Sequence, residues 1–269
     1  MSGSSEKNQV QSAAKVFAVL RAFDVAQPQL TQAEVAARAG LDRGTAFRLI
    51  HTLVSLGYLA AVPGSKRFRL TLKCLDLGYN ALASQDLRAH AGPLLMEQVP
   101  AVADAGSLAV LDGADVIYLA RVEAGLVRHD LDRRPGRRIR AYAAAIGQVQ
   151  LAYLPEARQV AILDSVERVK LSDRTLIEMD ALLARLREVR QRGYAVSDGE
   201  NAYGLRTVAA PVFGVDGQVV AGLSLTVDAA RMPLEAFVAG ALPVLQGMAA
   251  ALSGACRASG GAIGIGSAA

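Results

Sequence analysis

Arginine, hydroxyl and imidazole side chains alternate with apolar residues in the stretch LDRGTAFRLIHTLVSLGYL, residues 41–59. Apolar residues at helical spacing within 42–56 predict an amphipathic helix. Its outward polar side chains are Arg43, Thr45, Arg48, His51 and Thr52. An arginine can donate two hydrogen bonds to one guanine, and hydroxyl groups can bond bases or phosphates. The chemistry that fits this set is the reading of a DNA groove, and the alternative is an ordinary solvated helix face.

The residues around this helix predict the elements that must position it. Residues 12–25 carry apolar side chains at helical spacing. Thr31, followed three residues later by Glu34, forms a capping box that opens a short second helix. Gly40 is placed to end that helix in a left-handed turn, and Asp42 can cap the next one. Two short helices joined by a tight glycine turn, with another helix before them, predict a helix-turn-helix unit.

The pattern changes to short strands after the third helix. Residues 58–62 and 67–71 predict a β-hairpin, and Lys66 and Arg67 lie at its tip, where phosphates would be within reach. The first 84 residues carry a net charge of +5, whereas the remainder carries −1. This division favours a unit that binds a polyanion, followed by a unit with another role. The predicted DNA-binding residues are Arg43, Thr45, Arg48, His51, Thr52, Lys66 and Arg67.

The rest of the chain predicts an α+β unit. Residues 72–105 are predicted to be helical, with a break near Gly92 and Pro93. Strands are predicted at 107–111, 115–122, 126–132, 137–142, 194–200, 207–213 and 219–227. Further helices are predicted near 147–164, 173–192 and 233–253. This order indicates an antiparallel sheet with helices packed on it.

Small and hydroxyl-bearing residues in this unit favour a site for a small carboxylate. The stretch AAAIG, residues 143–147, offers small side chains and backbone amides ahead of a helix, which favours an anion. Ser224 and Thr226 are two residues apart in a predicted strand and therefore share one face. Ser197 and Thr207 add hydroxyl groups on other late strands. The alternative is that these are ordinary hydroxyl residues on a solvated strand face.

An arginine-rich segment precedes the AAAIG stretch. Six arginines occur within residues 128–140. A second nucleic-acid patch is one interpretation, and a solvated hairpin is the favoured one. Arg138 and Arg140 alternate with Ile139 and share a face with Tyr142, so one of them could reach a ligand carboxylate.

Patterns of catalysis are missing from the sequence. The histidines His51, His90 and His129 lie in separate segments, and no H-E-x-x-H, Walker or G-x-S-x-G motif occurs. Asp198 and Glu200 could pair, but we interpret them as caps of a loop beside the pocket. Neither an enzyme nor a cofactor or metal site is predicted.

The sequence also predicts a cytoplasmic protein without membrane association. Cys74 and Cys256 are too few and too distant for a disulfide framework or a zinc site. No apolar run reaches the length of about 18 residues that a membrane span requires. The N-terminus has no secretory signal pattern. Residues 1–9 and 257–269 are predicted to be disordered tails.

Longer segments of both halves resemble one known family. SAAKVFAVLRAF, LTQAEVAARAGLDRGTAFRLIHTLVSLGYL and FRLTLKCLDLGY resemble the N-terminal half of IclR-type bacterial transcription regulators. RIRAYAAAIGQVQLAYL and GYAVSDGENAYGLRTVAAPVFGVDGQVVAGLSLTV resemble their effector-binding half. The resemblance implies an N-terminal winged helix-turn-helix, joined by a linker helix to a GAF-like α+β effector-binding domain. It also implies a homodimer or dimer of dimers on double-stranded operator DNA.

Two shorter segments resemble one branch of that family. AY at 141–142 and GLRTVAAPV at 204–212 look like the branch that senses aromatic acids or their breakdown products, such as protocatechuate, β-ketoadipate or 4-hydroxybenzoate. Arg140, Ala144 and Gln148 depart from that branch, where proline, threonine and a basic residue are usual. These positions are expected near the pocket, so the ligand could differ from the branch norm.

The sequence therefore predicts a ligand-responsive DNA-binding transcription regulator that controls catabolism of an aromatic acid or related small carboxylate. The alternatives are a small-molecule-binding enzyme with a vestigial DNA-binding arm and an architectural DNA-binding protein. The predicted parts are a DNA-binding domain at 10–72, a linker helix region at 73–92 and an effector-binding domain at 93–256. The predicted effector-binding residues, in part by resemblance, are Arg140, Tyr142, Ala144, Ala145, Ile146, Gly147, Ser197, Asp198, Leu205, Thr207, Ser224 and Thr226.

Overall fold

The chain divides into two compact units, residues 1–81 and 82–269. A computed structural model describes residues 10–77, 86–126 and 133–259. The first unit combines helices with a three-stranded sheet, and the second combines helices with a six-stranded antiparallel sheet. The predicted α+β class is confirmed.

The first unit has the winged helix-turn-helix order. Its helices are α1 (Gln11–Arg21), α2 (Gln32–Ala39) and α3 (Arg43–Ser55), and its strands are β1 (Gln29–Thr31), β2 (Leu59–Ala61) and β3 (Arg67–Leu70). The strands lie in the order β1-β3-β2, so the predicted hairpin is present as β2 and β3. Sequence patterns did not indicate β1, because a three-residue strand with Leu30 as its one buried side chain is too short to show alternation.

The predicted helix ends are confirmed in this unit. The Thr31 hydroxyl accepts a hydrogen bond from the Glu34 N–H at 3.3 Å, and the Glu34 carboxylate accepts one from the Thr31 N–H at 2.7 Å. Gly40 follows α2 with a φ of 64°, which a glycine adopts without strain. Asp42 Oδ1 accepts from the Thr45 N–H at 2.8 Å at the start of α3. These local bonds fix the turn that presents α3.

The second unit is a sheet with helices on both faces. Its strands are β4 (Ala105–Asp112), β5 (Asp115–Glu123), β6 (Arg138–Arg140), β7 (Ala195–Asp198), β8 (Leu205–Phe213) and β9 (Val219–Asp228), in the order β6-β5-β4-β9-β8-β7. Its helices are α4 (Asp86–Val102), α5 (Ala145–Leu151), α6 (Glu156–Asp164), α7 (Met179–Arg192) and α8 (Leu234–Ala258). Helices α4 and α8 pack on one face, and α5, α6 and α7 cover the other.

Three helix predictions are corrected by the structure. Helix α4 continues through Gly92 and Pro93, because a stripe of buried side chains runs unbroken along it. The stripe is Leu87, Ala91, Leu95 and Val99. Packing of that stripe outweighs the one backbone hydrogen bond that a proline removes. The predicted helix at 147–164 is two helices, α5 and α6, with Pro155 as the N-cap of α6, and α7 begins at Met179 rather than near residue 173.

Some predicted boundaries differ from the structure or lie outside the described residues. The predicted linker region 73–92 ends inside α4, which packs with the second unit. The predicted strand at 126–132, apart from residue 126, lies outside the described residues. So do residues 1–9 and 260–269 of the predicted tails, whereas residues 257 and 258 belong to α8.

Helix α8 is long and apolar enough to cross a membrane, the one such helix in the described part of the chain. Its buried side chains include Phe237, Leu245 and Leu252, which pack in the same core as α4 and the sheet. We therefore interpret α8 as a core helix of the second unit.

Candidate functional site

The outward face of α3 carries the predicted groove-reading residues. Arg43, Arg48, His51 and Thr52 are exposed and Thr45 is half-buried. Neither arginine forms an ion pair with the described residues, so both guanidinium groups are available to a partner. The Thr52 hydroxyl donates to the Arg48 carbonyl at 2.9 Å, and it keeps its acceptor capacity.

The two predicted wing cations differ in their surroundings. Lys66 is exposed and has no hydrogen bond or ion pair within the described residues. Arg67 Nη1 instead donates to the Gln29 carbonyl at 2.8 Å and to Glu34 at 3.3 Å, so Arg67 braces the wing against β1 and α2. The side chain of Arg69, on the same strand, is exposed and forms no hydrogen bond or ion pair with the described residues. Arg69 was not among the predicted DNA-binding residues, although its alternation with Arg67 along the strand places both on one face.

Two rows of paired residues cross one face of the second unit's sheet. The first row is Arg121, Ser107 and Ser224 on β5, β4 and β9, and the second is Ser197, Thr207 and Thr226 on β7, β8 and β9. Directly paired residues point to the same side of a sheet. Six polar side chains from five strands therefore meet on the face that α5 covers.

Arg121 supplies the positive charge of the first row. Its side chain is 8% exposed. Its Nη1 donates to the Ser107 hydroxyl at 2.9 Å, and its Nε donates to Glu123 at 2.7 Å. Its Nη2 has no hydrogen-bond partner in the described part of the chain. A buried guanidinium with spare donors suits a carboxylate ligand.

A β-bulge brings an aromatic ring to the same face. Leu108 pairs with Ala120, but the next residue of β4, Ala109, pairs with Tyr118, so one residue of β5 is skipped. The shift turns Tyr118 to the side that Arg121 occupies. Burial raises the pKa of the Tyr118 phenol above its ordinary value, and the two nearby arginines oppose this. The phenol is therefore neutral at physiological pH.

Two glycines allow close packing of helix α5, one against strand β9 and one against the helical turn at residues 141–143. A Cβ on Gly222 would lie 2.6 Å from the Ile146 carbonyl oxygen, and one on Gly147 would lie 2.3 Å from that of Ala141. The backbone N–H groups of Ala145 and Ile146, at the start of α5, form no hydrogen bond with described residues. They are two donors at the edge of the polar rows.

Other donors near these rows also lack partners. Asn201 Nδ2 is buried without a hydrogen bond to any described residue, while its Oδ1 accepts from Arg133 Nη2 at 3.4 Å. The hydroxyls of Ser197 and Ser224 have no hydrogen bond among the described residues. Buried donors are normally satisfied, so an unsatisfied one calls for a ligand or water.

These groups line a cavity of about 390 Å³, counted with its open mouth. Arg121 and Arg133 line it, and its described lining includes no aspartate or glutamate. Tyr118, Ile139 and Leu205 add apolar surface. The lining favours an anion with an apolar body. The part of this volume that a water molecule can occupy without a clash is only about 20 Å³, which is room for about one water molecule. A larger ligand therefore requires lining side chains to move.

Most of the predicted effector residues lie in this cavity. The lining includes Ala144, Ala145, Ile146, Ser197, Leu205, Thr207, Ser224 and Thr226. The cavity residues that sequence analysis missed are Ser107, Tyr118, Arg121, Arg133, Ile139, Asn201 and Ala202. Arg121 carried a usable signal, because it is the one charged residue inside the apolar run VIYLARV.

Four predicted effector residues lie outside the lining. Arg140 is exposed on the edge strand β6, and its Nη1 lies 2.9 Å from Asp115 Oδ1. The Tyr142 hydroxyl is bound by the backbone of Val169, to which it donates at 2.8 Å. Asp198 pairs with two arginines, Arg174 at 2.5 Å and Arg206 at 3.0 Å. Gly147, as described above, serves the packing of α5.

Comparison with known protein families identifies the domain type of each of the two units. The family model for the IclR helix-turn-helix domain matches residues 12–63, and that for the bacterial transcriptional regulator IclR C-terminal domain matches residues 79–254. The chain belongs to the IclR family. Members of this family are transcriptional regulators with a DNA-binding domain and a ligand-binding C-terminal domain, and they are not enzymes. The alternative of an enzyme with a vestigial arm is therefore set aside.

Individual IclR-family proteins match over most of their length. The chain is 32% identical to KdgR of Escherichia coli (strain K12) over 230 residues, 86% of this chain and 87% of KdgR. It is 31% identical to the Pca regulon regulatory protein of Pseudomonas putida over 234 residues, 87% of this chain and 80% of that protein. A solved transcriptional regulator from Rhodococcus sp. RHA1 is 37% identical and has a TM-score of 0.80, covering 93% of this chain and all of that one.

Proposed function

We propose that this IclR-family chain is a cytoplasmic regulator whose affinity for operator DNA changes when a small carboxylate occupies the cavity beside α5. The observation that carries the proposal is the buried Arg121, whose Nη2 has no hydrogen-bond partner among the described residues, in a cavity whose described lining includes no aspartate or glutamate. An aromatic acid, or a product of its breakdown, is the effector class that the resemblance at 141–142 and 204–212 favours. The apolar surface of Tyr118 and Leu205 suits the body of such an acid.

The carboxylate of the effector is proposed to lie between α5 and the first polar row. Ser224 is two residues from Gly222, on which α5 rests, and it pairs in register with Ser107, which holds Arg121. A carboxylate there can accept from the Ser224 hydroxyl, from the N–H groups of residues 145 and 146, and from Arg121. This set combines neutral and charge-assisted hydrogen bonds, of which the latter are the stronger.

The other end of the effector is proposed to carry a second acceptor. Asn201 and Ser197 line the cavity at the β7 side, and the Asn201 amide and the Ser197 hydroxyl are donors without described partners. A hydroxyl or second carboxylate would satisfy Asn201 Nδ2, whereas a plain hydrocarbon end would leave that donor buried and unpaired. Hydroxylated aromatic acids and dicarboxylic acids are therefore favoured over benzoate.

The DNA-binding role is proposed to use α3 and the wing. Arg43, Arg48 and His51 would contact base edges, with Thr45 and Thr52 on bases or phosphates. Lys66 and Arg69 would contact phosphates, and Arg67 would hold the wing in place. One winged helix covers only a short half-site, so we propose that a homodimer or dimer of dimers reads a two-fold symmetric operator.

Thermal unfolding of the full chain with a panel of acids tests the effector proposal. Protocatechuate, 4-hydroxybenzoate and β-ketoadipate are compared with benzoate and with 4-hydroxybenzyl alcohol, a neutral control. An acid present at a hundred times its Kd should add about 2.7 kcal/mol to the free energy of unfolding, and the alcohol should add little. If no acid raises the Tm at millimolar concentration, the small-carboxylate proposal fails. Sedimentation that finds only a monomer on operator DNA would contradict the proposed assembly.

A further inference from the structure

The aromatic side chain of Phe47, on α3, lies outside the core and is exposed to solvent. Phe47 is 48% exposed. The core side of the helix is formed instead by Ala46, Ile50 and Leu53. An exposed phenyl ring leaves apolar surface in water, so its burial against a partner would be favourable.

The ring of Phe47 is held in a defined position on the helix surface. It lies against the ring of His51, one turn later, with 4.2 Å between the ring centroids and an interplanar angle of 53°. Gly44, three residues earlier and also exposed, has no side chain to cover the surface beside the ring. A partner that approaches α3 would therefore meet the phenyl ring.

The neighbours of Phe47 indicate what that partner is. Arg43 precedes it by one turn and Arg48 follows it directly, and neither guanidinium has an ion pair among the described residues. Such a surface, cationic around a single apolar group, matches the major groove of DNA. The groove edge offers acceptors on guanine and one apolar group, the 5-methyl of thymine.

We propose that Phe47 contacts the 5-methyl group of a thymine in the major groove and sets a preference for thymine at one position of each operator half-site. The contact rests on the DNA-binding role of the family and not on the effector proposal. His51 acts as the positioning residue that supports the ring. The arginines beside it read guanine or phosphate, so the apolar contact adds a second kind of base readout.

Removal of a single methyl group from the DNA tests this contact directly. Operator duplexes are selected from random DNA with the full-length protein, and each thymine is then replaced in turn by deoxyuridine, which lacks only the methyl. The wild-type protein should bind about threefold to fivefold more weakly when that thymine is replaced in one half-site, the effect of one buried methyl group. For Phe47→Ala, the same replacement should change the affinity by less than about 1.5-fold.

Phe17→Ala is the matched control, because Phe17 is a 52% exposed phenylalanine on α1 of the same unit. It should keep the full difference between thymine and deoxyuridine. If Phe47→Ala binds too weakly for comparison, both duplexes are titrated with all proteins at lower salt, where phosphate contacts strengthen binding. The proposal is overturned if no thymine is sensitive to loss of its methyl group, or if the sensitivity persists in Phe47→Ala.

Discussion

Replacement of Arg121 by methionine tests whether this arginine, which lines the cavity, binds the effector carboxylate in place of Arg140, which the sequence predicted. Methionine keeps an unbranched chain of similar length and removes the charge and the donors. The loss leaves the Ser107 hydroxyl without its partner at 2.9 Å, whereas Glu123, 53% exposed, is hydrated. We therefore expect a modest loss of about 1 kcal/mol in the free energy of unfolding without ligand.

The loss in effector affinity should be larger. A hydrogen bond to a charged group contributes about 1.5–3 kcal/mol, and the 8% exposure of the Arg121 side chain limits screening by water. The ion pair with Glu123 already offsets part of the Arg121 charge. We therefore expect Arg121→Met to weaken effector binding by about 2 kcal/mol, which is roughly a 30-fold rise in the effector Kd. Ser224→Ala removes one neutral hydroxyl and should cost only about 0.5–1.5 kcal/mol, a rise of roughly 2- to 13-fold.

Isothermal titration of the full chain with the acid that gives the largest rise in Tm measures these values. Arg140→Met is the matched control, because the Arg140 side chain is 43% exposed, pairs with Asp115 and lies outside the cavity lining. It should change the Kd by less than about twofold. Wild-type affinity in Arg121→Met, or an equal loss in Arg140→Met, would refute the placement of the carboxylate.

Three further predictions concern the supports of the two surfaces. Gly222→Ala should lower the free energy of unfolding by about 1–3 kcal/mol and reduce stabilisation by the acid, because the new Cβ would lie 2.6 Å from the Ile146 carbonyl oxygen. Denaturant titration measures this loss, and an unchanged free energy of unfolding would show that α5 does not rest on Gly222. Thr31→Ala should cost about 1 kcal/mol through loss of the α2 cap, and a neutral result would contradict the capping box. The pKa values of Asp42 and Glu34 are held low by the N–H groups of Thr45 and Thr31. Their stabilisation is therefore complete above the ordinary carboxyl pKa of about 4 and is lost as the pH falls through the lowered values. Circular dichroism should show a flatter acid limb in Asp42→Asn than in the wild type, and identical limbs would argue against this source of stability.

The parts of the fold that the sequence predicted are those fixed by local bonds. The capping box at Thr31, the left-handed Gly40 and the cap at Asp42 each involve residues within a few positions of one another. Strand β1 and the continuity of α4 through Pro93 depend instead on partners far along the chain. Pairing with β3 creates β1, and packing on the sheet keeps α4 helical through a residue that local rules treat as a break.

The candidate site follows the same division. Ser224 and Thr226 were predicted because alternation alone places them on one face. The charge inside VIYLARV marked Arg121 as unusual, but its neighbours in the cavity follow from the pairing of β5 with Ser107 on β4, which no local pattern reports. Arg140 lies outside the cavity lining, because β6 is an edge strand, which a strand pattern does not reveal, and its guanidinium pairs with Asp115 there.

An acid in the cavity is expected to change the affinity of the protein for its operator. Fluorescence anisotropy of labelled operator, titrated with the full chain at increasing acid concentration, measures this coupling. We expect at least about a fivefold change in operator Kd for the wild type, in either direction. For Arg121→Met, we expect wild-type operator affinity without acid and the same change only at roughly 30-fold higher acid concentration. An acid that binds the wild-type protein but leaves the operator Kd unchanged would contradict coupling between the cavity and DNA binding.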